Sequence, residues 1–286
     1  MNIYPVEAGN FKLDGGAMFG VVPKSLWSRT NPADSNNMID MAARCLLIEN
    51  GDRLTLLDTG MGNKQSEKFF GYYYMDHKYD LDSSLNKLGF SRDDITDVFL
   101  THLHFDHSGG AIVYNKEKKI YEPAFAKAKF HTNHNHWKWA TEPNEREKAS
   151  FLKENILPIK ESGQLHFIDQ TSEFQEREEM DFGILFVDGH TEKMMIPHLE
   201  VDGKTFVYMA DLLPTAGHIP LPYVMGYDTR PLLTLDEKAK FLDRAATHNY
   251  YLILEHDPFH EIITVKHTDK GVRLDKVFTF KELFDN

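Results

Sequence analysis

Within six positions of this chain fall four side chains that bind metals: His102, His104, Asp106 and His107, in the run Thr101-His102-Leu103-His104-Phe105-Asp106-His107-Ser108-Gly109-Gly110. Imidazole and carboxylate together suit zinc, with iron, manganese and cobalt as competitors. The i, i+2 spacing lets His102 and His104 reach one ion, while Asp106 and His107 turn toward a second. Two adjacent divalent ions can hold a hydroxide between them and bring the pKa of water toward about 7, so the chemistry expected is hydrolysis. Any one of these histidines alone reads as a surface group. The ordered combination directly after a strand does not.

That strand is the apolar stretch 95–100, which places the cluster where a strand gives way to a loop, the usual seat of reactive groups in α/β proteins. Two ions need more ligands than one loop supplies. His190, in Asp188-Gly189-His190-Thr191, follows a strand at 184–187; Asp211 follows a strand at 205–209; His256 follows a strand at 251–254. The expected arrangement is His102, His104 and His190 at the first ion, Asp106, His107 and His256 at the second, and Asp211 bridging both. Asp106 and Asp211 are the expected catalytic carboxylates, Asp106 as a proton shuttle.

Around these residues strands and helices interleave, the pattern of an α/β or α+β fold with mixed sheets. Segments 43–48 and 53–57 form a hairpin across Asn50-Gly51, and 195–201 with 205–209 repeats it across Asp202-Gly203. Further strands are expected at 165–168 and 262–265, and helices at 81–88, 145–156 and 234–247, the last opened by Thr234 as N-cap. Glu145, Glu147, Glu154 and Glu161 read as a solvated helix face. Residues 131–162 read as a helical flap beside the site. It contains His131, His134 and His136, of which His134 and His136 lack an acidic or cysteine partner at ligand spacing.

The chain has 286 residues, 41% of them hydrophobic, enough for one large core, so residues 1–286 are expected to form a single domain. Lys+Arg number 32 against 44 Asp+Glu, a net charge of −12 that repels phosphate backbones and argues against a nucleic-acid partner. Cys45 is the one cysteine, so no intrachain disulfide forms. No segment has the length of a membrane span or a signal peptide, and the chain as given reads as cytoplasmic.

In order and spacing, the His-x-His-x-Asp-His run, Gly189-His190-Thr191, Asp211 and His256 resemble the metallo-β-lactamase superfamily over nearly the whole chain. The resemblance implies an αββα sandwich, two packed mixed β-sheets flanked by helices, with a dinuclear metal site at one edge. It also implies that Asp58 orients a ligand instead of binding an ion. Two longer segments, 13–24 and Met209-Ala210-Asp211-Leu212-Leu213-Pro214-Thr215 with Tyr227-Asp228, resemble the YtnP-type quorum-quenching lactonases. The activity implied is opening of the lactone ring of N-acyl-homoserine lactones by a hydroxide bridging two Zn2+ ions.

Some features depart from that pattern. Pro214 stands where well-studied lactonases carry a Tyr, so carbonyl polarisation falls to a metal or to His218 or Tyr227. Met18 and Phe19 are candidates for an acyl pocket, with core packing the competing reading. A phosphotriesterase or arylesterase is the main alternative, and a weakly catalytic ligand-binding effector the second. The expected partner is a small lactone or ester, with neither nucleic acid nor membrane, and the apolar segment 17–22 suits a homodimer contact.

Overall fold

The computed structural model describes every residue except 77–78, 177–179 and 285–286, so His77, which the sequence offers only as a surface or core group with no ligand partner, lies outside the described residues. The chain divides into two compact units, Met1–Asn10 with Ala43–Thr171, and Phe11–Ala42 with Ser172–Asn286. Its strands are β1 (Asn2–Asp14), β2 (Met38–Asn50), β3 (Arg53–Leu57), β4 (Asp97–Phe99), β5 (Ile112–Asn115), β6 (Ile120–Pro123), β7 (Lys129–Asn133), β8 (Leu165–Ile168), β9 (Phe174–Gln175), β10 (Gly183–Val187), β11 (Met194–Val201), β12 (Lys204–Tyr208), β13 (Tyr251–Ile253), β14 (Ile262–Thr268) and β15 (Gly271–Phe278). One mixed sheet has the order β1-β2-β3-β4-β7-β8; the other has the order β15-β14-β13-β12-β11-β10-β9; β5 and β6 form a separate hairpin. The fold is therefore mixed α/β, as expected.

In the first sheet β3, β4, β7 and β8 run parallel. Residues 41–48 of β2 are all buried, and apart from Arg44, which pairs with Glu7 at 2.9 Å, they form an apolar run rather than an alternating one. The β2–β3 hairpin pairs Asn50 with Arg53 across the expected turn. In the second sheet the β11–β12 turn puts Asp202 at φ 50° and Gly203 at φ 72°, the two left-handed positions of a type I′ turn.

The second unit is anchored by the helix Pro231–His248, which buries Thr234, Lys238, Phe241, Leu242 and Ala245 on one stripe. Phe241, Leu242 and Ala245 pack against Val207, Leu252 and Ile263 of the sheet. Burial of each large apolar side chain contributes about 1.5–3 kcal/mol. Lys238 stands on the same stripe, and its ammonium donates to the carbonyls of His218 (3.0 Å), Pro220 (3.3 Å) and Tyr223 (2.7 Å), tying down that loop.

Two expected helices differ. The 234–247 helix begins at Pro231, because proline suits the first helical position, where its missing N–H would have no partner anyway. The 145–156 helix is replaced by turns up to residue 150 and the helix Lys153–Glu161. Glu147 is consequently buried at 3% exposure, not part of a solvated face. No helix among the described residues is long and apolar enough to cross a membrane.

Gly109 and Gly110 follow the histidine cluster where another backbone segment passes. A Cβ on Gly109 would lie 2.1 Å from the Met61 carbonyl oxygen, and one on Gly110 2.1 Å from that of Thr59. The variant Gly110→Ala is expected to lose about 1–3 kcal/mol of stability, because backbone cannot move aside as a flexible side chain would. Gly203→Ala meets no neighbouring atom and carries only the left-handed φ cost. Urea midpoints of the two variants check the ranking; an unperturbed Gly110→Ala would show that the 59–61 segment yields freely.

Candidate metal centre

In the first unit, β4 delivers the chain into Thr101-His102-Leu103-His104 and the short helix Phe105–Ser108. Its fixed point is Asp58, fully buried one residue past β3 in a left-handed conformation, φ 56°. The Asp58 carboxylate accepts from the Thr101 backbone N–H (2.8 Å), the Thr101 hydroxyl (2.7 Å) and His107 Nδ1 (3.0 Å). Because the single hydroxyl proton of Thr101 goes to Asp58, its oxygen accepts from His102 Nδ1 at 3.1 Å. One carboxylate thus sets two imidazoles, leaving Nε2 of His102 and His107 with lone pairs to offer.

His104 is set differently. Its Nε2 faces Glu147 Oε1 at 3.4 Å, and Nδ1 lies 3.0 Å from His102 Nε2. Two nitrogen ligands of one tetrahedral zinc, with bonds of about 2.0–2.1 Å, stand about 3.3 Å apart, so this pair suits a shared ion. Glu147 is itself held by Trp139 Nε1 (2.6 Å) and Asn144 Nδ2 (2.7 Å). His136 is structural: its Nε2 accepts from the Leu103 backbone N–H at 2.8 Å, which consumes the lone pair a metal would need. His131 binds Asp97 at 2.7 Å. Burial alone would push the Asp97 carboxyl up, but hydrogen bonds from His131, Arg53 and Thr96 hold it well below the usual range.

In the second unit, β10 leads to His190, β12 to Asp211 and β13 to His256. His190 Nδ1 donates to Asp228 Oδ1 at 2.8 Å, and His256 Nδ1 donates to the Ala42 carbonyl at 2.8 Å. Their Nε2 atoms face opposite oxygens of Asp211, at 3.0 Å from Oδ2 and 3.2 Å from Oδ1 respectively. Burial alone would push His190 down, but Asp211 and Asp228 raise its pKa to about 10. Ala210, just before Asp211, has φ 41°, a strained value for a residue with a Cβ and one that clusters at functional sites. The Asp188-Gly189 turn before His190 is held by Glu237, whose oxygens accept both backbone N–H groups at 2.7 and 2.9 Å.

The structure thus gathers His102 and His107 about Asp58 and Thr101, with His104 beside His102 and Asp106 Oδ2 3.9 Å from His107 Nε2. It gathers His190 and His256 around Asp211. Sequence reasoning missed Glu147, Asp228 and Glu237. Asp228 lay in the quoted Tyr227-Asp228 motif without a role, and the signal for it is that a metal-ligating histidine such as His190 would need a partner for its second nitrogen.

Of the candidate substrate contacts, Met18, Phe19 and His218 are closed into the second unit, while Tyr227 is 39% exposed. Phe19 is stacked between Trp27 (5.3 Å) and His218 (4.3 Å). Both His218 nitrogens are used: Nε2 donates to the Met18 carbonyl (2.9 Å) and Nδ1 accepts from the Thr215 hydroxyl (2.8 Å).

Two predictions follow from these partners. Asp228→Asn is expected to weaken divalent-metal binding by about 10–100-fold, the usual cost of losing a group that orients a ligand. A competition titration against a chromophoric chelator measures it, and unchanged affinity would remove the orienting role. Burial holds the His218 pKa at about 4, below the ordinary 6.5 of the unfolded chain. Between those values the unfolded chain takes up a proton that the folded protein does not, so stability falls as pH drops through the window. His218→Gln should bind up to one proton fewer on unfolding near pH 5; an identical pH slope in both proteins would contradict this.

Comparison with known proteins agrees with this chemistry. The sequence profile described as the metallo-beta-lactamase superfamily matches residues 39–256. A probable metal-dependent hydrolase from Staphylococcus aureus has a similar solved structure: TM-score 0.85, 28% identity, 97% of this chain and 96% of that one covered. The solved structure of AidC, a dizinc quorum-quenching lactonase with a product bound, shares the fold at TM-score 0.78 and 22% identity over 97% of this chain and 95% of that one. The N-acyl homoserine lactonase AiiB of Agrobacterium fabrum (strain C58) is 29% identical over 136 residues, 44% of this chain and 49% of AiiB, so the match spans about half the length of that relative. With its buried histidine and aspartate donors at the strand ends, the chain belongs to the metallo-β-lactamase superfamily.

Proposed function

We propose that the donors of both units act together as one dinuclear zinc centre in a single catalytic domain, and that the enzyme opens the lactone ring of N-acyl-homoserine lactones. His102, His104 and His190 would hold one ion, Asp106, His107 and His256 the other, and Asp211 both. The observation that carries the two-ion reading is Asp211, whose two oxygens each face the Nε2 of a histidine already committed at Nδ1. A carboxylate so divided suits two ions better than one. Bound there, a pair of divalent ions would supply an activated water at neutral pH and polarise the scissile carbonyl.

The chain's own residues do the rest. Asp58, Asp228 and Glu147 fix the imidazoles, so no reorientation is needed when charge develops in the transition state. Asp106 can ligate through one oxygen and take a proton through the other, returning it to the alkoxide that leaves when the ring opens. The lactone substrate is supported by AiiB, named as an N-acyl homoserine lactonase, and by the segments around Asp211 and Tyr227. Pro214, in place of a lactonase tyrosine, is the feature that favours an aryl ester or phosphotriester instead.

Zinc-loaded protein is expected to release protons from short- and long-chain N-acyl-homoserine lactones, and to stop on chelation. Asp211→Asn should retain the fold but lose at least one ion and most of the rate, read by metal analysis and turnover together. Full activity with two ions in that variant would remove the bridging role. Faster turnover of aryl esters or phosphotriesters than of any lactone would move the substrate assignment to that class.

A further inference from the structure

The second unit carries a cavity of about 540 Å³ that none of the metal donors lines, built on β9, β10, β11 and the C-terminal half of the helix Pro231–His248. Its lining includes Phe174, Glu176, His198, Glu200, Arg244 and Tyr250. Gly183, the residue opposite His198 on the neighbouring strand, lines the hollow and lets the Phe174 ring sit close, since a Cβ there would lie 3.0 Å from that ring. The size is that of a small-molecule site.

The polar groups are unusual for an idle surface hollow. His198 is only 6% exposed, and its Nε2 has no hydrogen-bond partner among the described residues. A buried donor or acceptor left so is costly, because it gave up water without gaining a partner. Burial and the charge of Arg244 hold the ring neutral, with a pKa of about 3. Its faces are taken by aromatics: Phe174 at 5.1 Å, Tyr250 at 6.0 Å and Phe241 at 6.1 Å, all near perpendicular.

Arg244 is pre-positioned. Its guanidinium lies 5.3 Å from the Phe174 ring centroid, and its Nε donates to the Tyr250 hydroxyl at 3.1 Å. Those two contacts leave both terminal nitrogens of the fork for a ligand, and no carboxylate pairs with them among the described residues. A fixed, unpaired guanidinium in an aromatic hollow matches a carboxylate bidentately. The cavity is not simply anion-selective, however. Glu176 and Glu200 line it too, and neither meets a cation among the described residues; Glu200 accepts only from the Thr205 hydroxyl, at 2.7 Å. One cation and two carboxylates together disfavour a plain anion and complement a molecule with both charges.

We infer that this cavity binds a small zwitterion with an apolar body, of the α-amino-acid class: carboxylate on Arg244, ammonium toward Glu200 and Glu176, side chain against Phe174 and Tyr250, with His198 supplying the remaining hydrogen bond. The site is independent of the metal centre and of the substrate assigned to it.

Calorimetric titration of the metal-loaded protein with three matched probes tests this. L-phenylalanine carries both charges, 3-phenylpropanoate lacks the ammonium, and phenethylamine lacks the carboxylate. Phenylalanine is expected to bind at least about tenfold more tightly than either analogue, a difference of about 1.4 kcal/mol. Arg244→Gln and Glu200→Gln alter exposed side chains, and melting curves check that both variants fold. Each should weaken phenylalanine by a similar factor, and removal of the metal by a chelator should leave its Kd unchanged. Equal binding of 3-phenylpropanoate would overturn the zwitterion in favour of a simple acid site. Binding lost on chelation would assign the ligand to the metal centre, and no binding of any probe at millimolar concentration would eliminate the site.

Discussion

Everything at the candidate centre depends on one constraint: a buried imidazole can offer a lone pair to a metal only if its other nitrogen is already committed. All five candidate ligand histidines meet it. His107 and His190 donate to Asp58 and Asp228, His256 to the Ala42 carbonyl, His102 to the Thr101 oxygen, and His104 faces Glu147. The Ala42 contact is the most informative chemically, since a carbonyl can only accept, which fixes the tautomer of His256 without reference to any ion. Asp58 extends the same logic. By absorbing the Thr101 proton it governs a histidine it does not touch.

Strand ends make this possible. β3, β4, β10, β12 and β13 each stop within a few residues of a donor or of a group that orients one, and the chain must turn sharply there. Asp58 and Ala210 take left-handed conformations to do so. Such residues cost on the order of 1–3 kcal/mol each and persist only where the surroundings over-determine them. Here the three hydrogen bonds into Asp58 supply that determination in the first unit, and the two histidines facing Asp211 supply it in the second.

Much of this was legible in the sequence because the ligand motifs are local. His-x-His-x-Asp-His after an apolar strand, and single donors after three further strands, require only spacing and strand recognition. Partners distant in sequence were not legible in the same way. Glu147 sits among alternating charges that imitate a solvated helix, and only the Asn144 turn aims it inward. Glu237 follows Thr234 by three residues, where an acid reads as part of a helix's first turn, but the helix begins at Pro231. The 13-residue β1 went unread because Gly9, at φ 127°, interrupts an otherwise mixed pattern of polar and apolar residues. Met18 and Phe19 suited a pocket or packing equally by type; both are buried, and Phe19 stacks between Trp27 and His218.

Trp139 gives the first unit an optical property. Its indole N–H points at the same carboxylate that faces His104, so the polar end of a fluorophore shares a hydrogen-bond acceptor with a candidate ligand histidine. Indole emission responds to the charge and hydrogen bonding around its N–H. The chain therefore contains its own label-free gauge of the state of His104, readable in dilute solution without substrate, dye or engineered probe.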